Sequence, residues 1–240
     1  MPLSADIVGA AMAGACVALA VTVSWLWRLG RRVSVADWGA DWKNAIDGLV
    51  RLFCARYHRF RFAPVALPER GPAILACNHV SGLDPLLIIA ACRRPVRFMI
   101  AQEQYNRFGL QWLFRAARCI PVDRNGHPQR AYRAALKALA DGEVVALFPH
   151  GKIHLDSDPP QKLKAGVARL ATLSGAPIYP LRVQGIVGEG HVIGGVVRRS
   201  HARLYSFAPI ECVARRHPAC LNKLTRLLET PVNEETALQN

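Results

Sequence analysis

The seven cysteines include no CxxC pair and follow no zinc-finger spacing. Their number is odd, and Cys16, Cys54, Cys77, Cys92, Cys119, Cys212 and Cys220 are scattered, several of them inside apolar runs. This argues against a disulfide framework and for reduced, buried thiols of a cytosolic compartment. Acidic residues are scarce: 17 Asp and Glu stand against 31 Lys and Arg, a formal net charge of +14. Such an excess attracts nucleic acid, anionic lipid or phosphorylated substrates. No recognition motif points to nucleic acid. The mixed basic and aromatic stretch YHRFRF, residues 57–62, is too short for an RNA-binding signature and reads as an edge strand. There is also no internal repeat.

Charge is missing altogether from Ile7 to Trp27, a run of 21 residues. That length crosses the hydrocarbon core of a bilayer as a helix. Trp25 and Trp27 close the run, and Arg28, Arg31 and Arg32 follow. The arginines place the following chain on the cytoplasmic side of an inner membrane, with a single N-terminal anchor. A cleaved signal peptide would carry a basic leader, whereas MPLSADI has one Asp and no cation.

Residues 36–54 carry an apolar stripe of Trp38, Trp42, Ile46, Leu49 and Phe53, with charged Asp41, Lys43, Asp47 and Arg51 taking much of the rest. The stripe suits a helix lying in the membrane interface or one packed on the protein's own core. From residue 73 short apolar runs alternate with helical patterns. The expected strands are 73–77, 96–100, 118–122, 143–148, 177–184 and 201–207. The expected helices are 85–93, 102–115, 128–141, 164–175 and 217–228. This alternation predicts an α/β fold, a mixed and mostly parallel sheet flanked by helices. The organisation is then a membrane-associated segment at 1–55, an α/β domain at 56–228 and a polar tail at 229–240.

The stretch AILACNHVSGLDPLLIIA, residues 73–90, concentrates the chemistry. An apolar strand stops at Asn78-His79, Gly82 permits a tight turn, and Pro85 suits the first helical position, which makes Asp84 an N-cap candidate. Residues five apart do not face each other on a helix, so a His79–Asp84 pair needs such a loop. An Asp that accepts a proton bond from one ring nitrogen fixes the imidazole, and the other nitrogen is then available to take a proton from a hydroxyl. The plainer alternative makes Asp84 a cap and His79 a polar strand end.

NHVSGLDP, residues 78–85, resembles the NHxSxxDP signature of the glycerolipid acyltransferases, which acylate glycerol phosphate and lysophosphatidic acid. The resemblance implies that His79 is the general base on the acceptor hydroxyl and that Asp84 orients it. Three further blocks follow in order. CIPVDR, residues 119–124, resembles the family's GxIxVDR, with Arg118 where a Gly is expected; it implies Arg124 as a phosphate ligand, against the alternative of a surface salt bridge. FPHGK, Phe148, Pro149, His150, Gly151 and Lys152, resembles the acceptor-binding FPEG block, with His150 in place of its Glu. APIYPLRV, residues 176–183, resembles the proline-containing fourth block, and Lys164 and Gly166 begin the family's helix after the third.

The resemblance spans roughly residues 56–190. It implies transfer of a fatty acyl chain from acyl-CoA or acyl-carrier protein to a lysophospholipid hydroxyl, lysophosphatidic acid first, with no cofactor and with anionic membrane lipid as a further partner. His150 leaves two alternatives open: another acceptor, such as an ornithine-type lysolipid, or a non-catalytic lipid-binding relative. The backbone N–H groups near the start of the 85–93 helix are candidates for holding an oxyanion. His150, His154 and Asp156 also raise a metal reading by their spacing. Pro149 and Gly151 speak against a regular helix there, and no metal is expected.

Overall fold

Five consecutive buried residues, Ala73–Cys77, form strand β2 near the middle of the sheet. Their side chains alternate between two cores. Ala73, Leu75 and Cys77 face one that includes Leu83, Leu87 and Ile88, while Ile74 and Ala76 face another that includes Ala135, Leu170 and Leu224. A strand buried on both faces reads as a continuous apolar run, as this one does. The computed structural model describes residues 5–124, 126–213 and 217–232.

The strands are β1 Arg61–Phe62, β2 Ala73–Cys77, β3 Val96–Ala101, β4 Ile120–Val122, β5 Val144–Leu147, β6 Ile178–Gln184 and β7 Arg203–Ser206. They lie in the order β1-β7-β6-β2-β5-β3-β4, every neighbouring pair parallel except β6–β7. The expected mixed, mostly parallel sheet is therefore present, and Arg61–Phe62 is the edge strand expected from YHRFRF.

Helix α1, Ala5–Val33, contains the apolar stretch. Its Gly9–Val33 portion is long and apolar enough to cross a membrane, and the most apolar 18-residue window of it is not buried within the protein. It meets α2, Asp41–Leu52, at close range. A Cβ on Gly30 would strike Ala45 O, and one on Gly48 would strike Gly30 O. The crossing needs glycine at both positions.

Asp47 was expected on a polar face and is instead 3 % exposed. Its carboxylate accepts hydrogen bonds from Val35 N (3.1 Å), Trp38 Nε1 (3.1 Å) and Arg51 Nε (2.7 Å). Arg51 in turn donates to Ala90 O and Cys92 O, both at 2.7 Å, at the end of helix α3, Asp84–Ala91. Pairing with these donors makes burial of two charges tolerable. It also fastens α2 to the end of α3 by the face that carries Ala45, Asp47 and Gly48, while Trp42 of the apolar stripe is exposed. A π turn, Phe53–Tyr57, follows directly.

The single helix expected over 102–115 is two short ones, α4 Gln102–Tyr105 and α5 Gln111–Ala116. Helix α4 ends at its C-cap Asn106, and the chain then turns through Gly109, whose φ of +79° is left-handed. The remaining helices are α6 Pro128–Ala140, α7 Gly166–Ser174, α8 Gly194–Val197 and α9 His217–Glu229. Helix α8 has no counterpart in the sequence reading, because four residues give no period. Of the expected polar tail, Glu229 closes α9, and 233–240 lie outside the described residues.

The expectation of seven reduced thiols is corrected in part. Cys212 and Cys220 form a disulfide over a sequence separation of eight. The fold brings the segment after β7 against the first turn of α9, with the two Cα atoms 5.7 Å apart, a normal bridging distance. Cys54, Cys77, Cys92 and Cys119 are free and buried, and Cys16 is free and exposed. Burial pushes the Cys54 and Cys92 thiols up to about 12.

Candidate active site

The turn after β2 is built around one carboxylate. Asp84 is wholly buried, and its Oδ2 accepts from His79 Nδ1 (2.7 Å), Val80 N (2.7 Å) and Ser81 N (3.0 Å). Its Oδ1 accepts from Ser81 Oγ (2.9 Å), and that hydroxyl accepts from Leu83 N (3.1 Å). The expected His79–Asp84 pair therefore exists.

Two local reasons differ from expectation. Asp84 is the first residue of α3 and caps nothing; its carboxylate points back into the turn, and Leu83 holds the N-cap position. Gly82 is required by close approach, since a Cβ there would strike Val192 O. The first free-amide candidates for an oxyanion site are also occupied: Leu86 N and Leu87 N both donate to Leu83 O.

Asn78 is the other fixed point of this turn. It is buried, and its side chain exchanges two hydrogen bonds with Val183 of β6, Nδ2 to the carbonyl at 2.9 Å and Oδ1 from the amide at 2.7 Å. The end of β2 is thereby locked to its neighbour. The His79 ring lies against Phe148, 4.0 Å between ring centres and 17° from parallel. His79 O accepts from His154 N at 2.8 Å. With Nδ1 committed to Asp84, Nε2 is the nitrogen left for chemistry.

His79 and Phe148 border an apolar groove of about 870 Å³ at the carboxyl ends of the parallel strands. That is where open α/β sheets bind ligands, and the volume is that of a ligand pocket. Trp42, Ile46, Leu86, Ile89 and Phe114 supply its long wall. Arg124 and Lys164 stand on its border, together with Pro149 and Gly151. The groove is thus mostly apolar, with Lys43, Arg107, Arg124 and Lys164 among its few charged borders.

The third block splits in two. Phe148, Pro149 and Gly151 border the groove as expected. His150 and Lys152 do not. His150 is 2 % exposed, and its Nε2 lies 3.2 Å from Glu229 Oε1 at the end of α9. Burial holds its pKa below the usual histidine value. A side chain enclosed in this way does not reach an acceptor in the groove. Lys152 is exposed and lies outside the lining, whereas Lys164 is part of it. Arg124 Nη1 has a loose ion pair with Glu103 Oε1, 3.4 Å, between two exposed side chains. Such a pair is weak and leaves the guanidinium able to exchange partners.

Asp156, the third member of the expected metal trio, pairs instead with fully buried Arg182, Nη2 to Oδ2 2.5 Å. Arg182 Nη1 also donates to Leu228 O. The sequence reading singled out neither Arg182 nor Glu229 as a site residue. Arg182 carried a signal, a cation inside the apolar run of β6.

With this geometry in view, the comparisons with known proteins decide the family. The acyltransferase family model matches residues 63–184, about half of the chain. The chain belongs to the acyltransferase family. It is 32 % identical over 124 residues to an N-acylphosphatidylethanolamine synthase of Arabidopsis thaliana, covering 48 % of this chain and 43 % of that one. It is 26 % identical over 120 residues to the 1-acyl-sn-glycerol-3-phosphate acyltransferase of Bacillus subtilis, covering 50 % and 59 %. The chain thus spans about half the length of these curated relatives. The crystal structure of the 1-acyl-sn-glycerophosphate acyltransferase of Thermotoga maritima shares the fold, with a TM-score of 0.58 at 16 % identity, covering 82 % of this chain and 86 % of that one. His79 and Asp84, found 2.7 Å apart, both lie within the matched segment.

Proposed function

We propose that this acyltransferase moves a fatty acyl chain from a thioester donor, acyl-CoA or acyl-carrier protein, to the hydroxyl of a lysophospholipid, with lysophosphatidic acid as first candidate. The carrying observation is the His79–Asp84 bond of 2.7 Å at the border of an apolar groove. Asp84 fixes the imidazole with Nδ1–H donating to it. Nε2 removes the hydroxyl proton as the oxygen attacks the thioester carbonyl. The C–O bond forms, the C–S bond breaks, and the departing thiolate takes the proton from Nε2. The groove holds acyl chain, and Arg124 with Lys164 holds the acceptor phosphate. No cofactor takes part in these steps.

A membrane site of action is part of this reading. Support comes from α1, from exposed Phe108, Leu110 and Trp112 beside the groove, and from the net charge of +14. Each basic residue near an anionic surface contributes about 1 kcal/mol to attraction. The domain lies on the cytoplasmic face of the inner membrane, with the arginines after Trp27 on that side.

A second acceptor is favoured by one comparison, the 32 % identity to a relative named for N-acylphosphatidylethanolamine synthesis. The same base would then act on a headgroup amine. One experiment separates the readings. The detergent-purified protein is offered labelled acyl-CoA with lysophosphatidic acid, other lysolipids including an ornithine-type one, and phosphatidylethanolamine, and products are read by mass. Phosphatidic acid is the expected product. N-acylated phosphatidylethanolamine would select the second reading. No product from any acceptor or donor, with tight lysolipid binding retained, would leave a lipid-binding protein.

A further inference from the structure

On the other side of the third-block loop from the groove, three ligand-type side chains converge. His150, His154 and Glu229 each offer one ligand atom, and these atoms lie within 4.8 Å of one another. The two imidazoles are stacked, 4.5 Å between centres and 24° from parallel. No helix sets this arrangement. The loop is held by its own backbone bonds, Gly151 N to Phe148 O at 2.8 Å, Lys164 N to Pro149 O at 3.0 Å and His154 N to His79 O at 2.8 Å. Glu229 is the last residue of α9, whose end is fastened by Arg182 through Leu228 O. The three side chains are therefore brought together by contacts that do not involve any ligand.

A hydrogen-bonded His–Glu pair does not account for His150. Its Nδ1 is buried with no partner, while Nε2 faces Glu229 Oε1 at 3.2 Å. A neutral ring has one proton to place. On Nδ1 it has nothing to donate to, and Nε2 then presents a lone pair to a carboxylate. On Nε2 it satisfies Glu229 and leaves a buried lone pair at Nδ1. Either choice strands a polar atom, at a cost that buried groups normally avoid. A cation between Nε2 and Glu229 removes the clash of lone pair and carboxylate, with the ring proton on Nδ1. Two imidazoles and one carboxylate are a ligand set suited to zinc and its neighbours in the first row. Tetrahedral zinc at its usual bond lengths of about 2.1 Å needs ligand atoms roughly 3.4 Å apart, so the two stacked rings unstack on binding for their in-plane lone pairs to converge. Asp158 Oδ2, 3.7 Å from His154 Nδ1, is placed to orient that ring from outside.

We propose that His150, His154 and Glu229 bind one divalent first-row transition ion, which clamps the end of α9 to the loop behind His79. The ion is structural. It joins residues 79 positions apart in the chain and backs the segment whose His154 amide holds His79 O. The proposal does not depend on the acyl-transfer reading.

The test uses the full chain in detergent, free of any affinity tag, stripped with chelator and then titrated with zinc(II). Wild type is expected to keep about one zinc per chain through dialysis by elemental analysis. Its thermal midpoint is expected to rise by roughly 5–10 °C at a hundredfold excess over Kd. H154Q and E229Q are each expected to lose both responses while their metal-free melting stays near that of wild type, since Gln keeps a hydrogen-bonding group at both places. H79A is expected to bind zinc as wild type does, which separates this site from the catalytic one. Zinc uptake below about a tenth of an ion per chain in wild type overturns the proposal. So does unchanged uptake in H154Q and E229Q, or loss of uptake in H79A, which would put the ion on the active-site histidine.

Discussion

The two loops that meet at His79 are built on opposite plans. In the turn at 78–84, Asp84 accepts from residues three to five positions away. In the loop at 148–158, the fixing partners are remote: Glu229 lies 79 residues from His150, and Arg182 lies 26 from Asp156. The hydrogen bonds around Asp84 in the first loop need only β2 and α3, although Asn78 also ties that loop to β6. The second is shaped by β6 and α9, and its side chains are divided between the groove and the protein interior. The carboxylate that fixes His79 is therefore local, while the anchoring of the turn through Asn78 and His79 O, like the second loop, depends on assembly of the whole domain.

Substitutions at each loop test this contrast. The largest effect is expected at His79. H79A should lower kcat at least about a hundredfold, the usual contribution of a general base, with thermal melting near wild type. A large loss of stability instead would give the turn a structural role. Next is Asn78. N78A removes two buried hydrogen bonds and leaves the Val183 amide and carbonyl unpaired, so it should cost about 2–4 kcal/mol in urea unfolding. At the groove border R124A and K164A should each raise KM for a phosphorylated acceptor about tenfold, with a smaller change for an unphosphorylated one. K152A, which alters an exposed side chain outside the groove, should change KM less than twofold. If K152A matched R124A, the division of the second loop would be wrong.

The smallest expected effect concerns pH. His58 is fully buried, its Nε2–H donates to Val196 O at 3.1 Å, and burial lowers its pKa from the ordinary 6.5. The unfolded chain then takes up a proton at higher pH than the folded one. His58's contribution to stability is full above pH 6.5 and declines as pH falls below it. The urea midpoint should drop between pH 7.5 and 5.5 by less in H58Q than in wild type.

The same contrast explains what the sequence could reveal. Strand β2 and the His79–Asp84 pair were legible because apolar alternation, Gly82 and Pro85 all act within a few residues. The sheet followed from alternating periods. Asp47 was misread because helical periodicity assigns charges to solvent and carries no word of Trp38 or Arg51 waiting inside. The break at Gly109 was missed because a lone glycine does not by itself announce a left-handed turn. Lys152 was chosen over Lys164 by adjacency to the motif. It is Lys164 that borders the groove, since the chain doubles back to hydrogen-bond Pro149 O from Lys164 N. Glu229, Arg182 and the Cys212–Cys220 bridge depend on where α9 docks, which no local pattern records.

The crossing of α1 and α2 has a mechanical outcome. With bare glycines at the contact there is no side-chain cushion to absorb a shift, and Arg51 bolts the second rod to the end of α3. Tilting or lifting the N-terminal rod would therefore move the aromatic wall of the groove with it, and the height of the reaction centre above a lipid surface would be set by how that rod is seated.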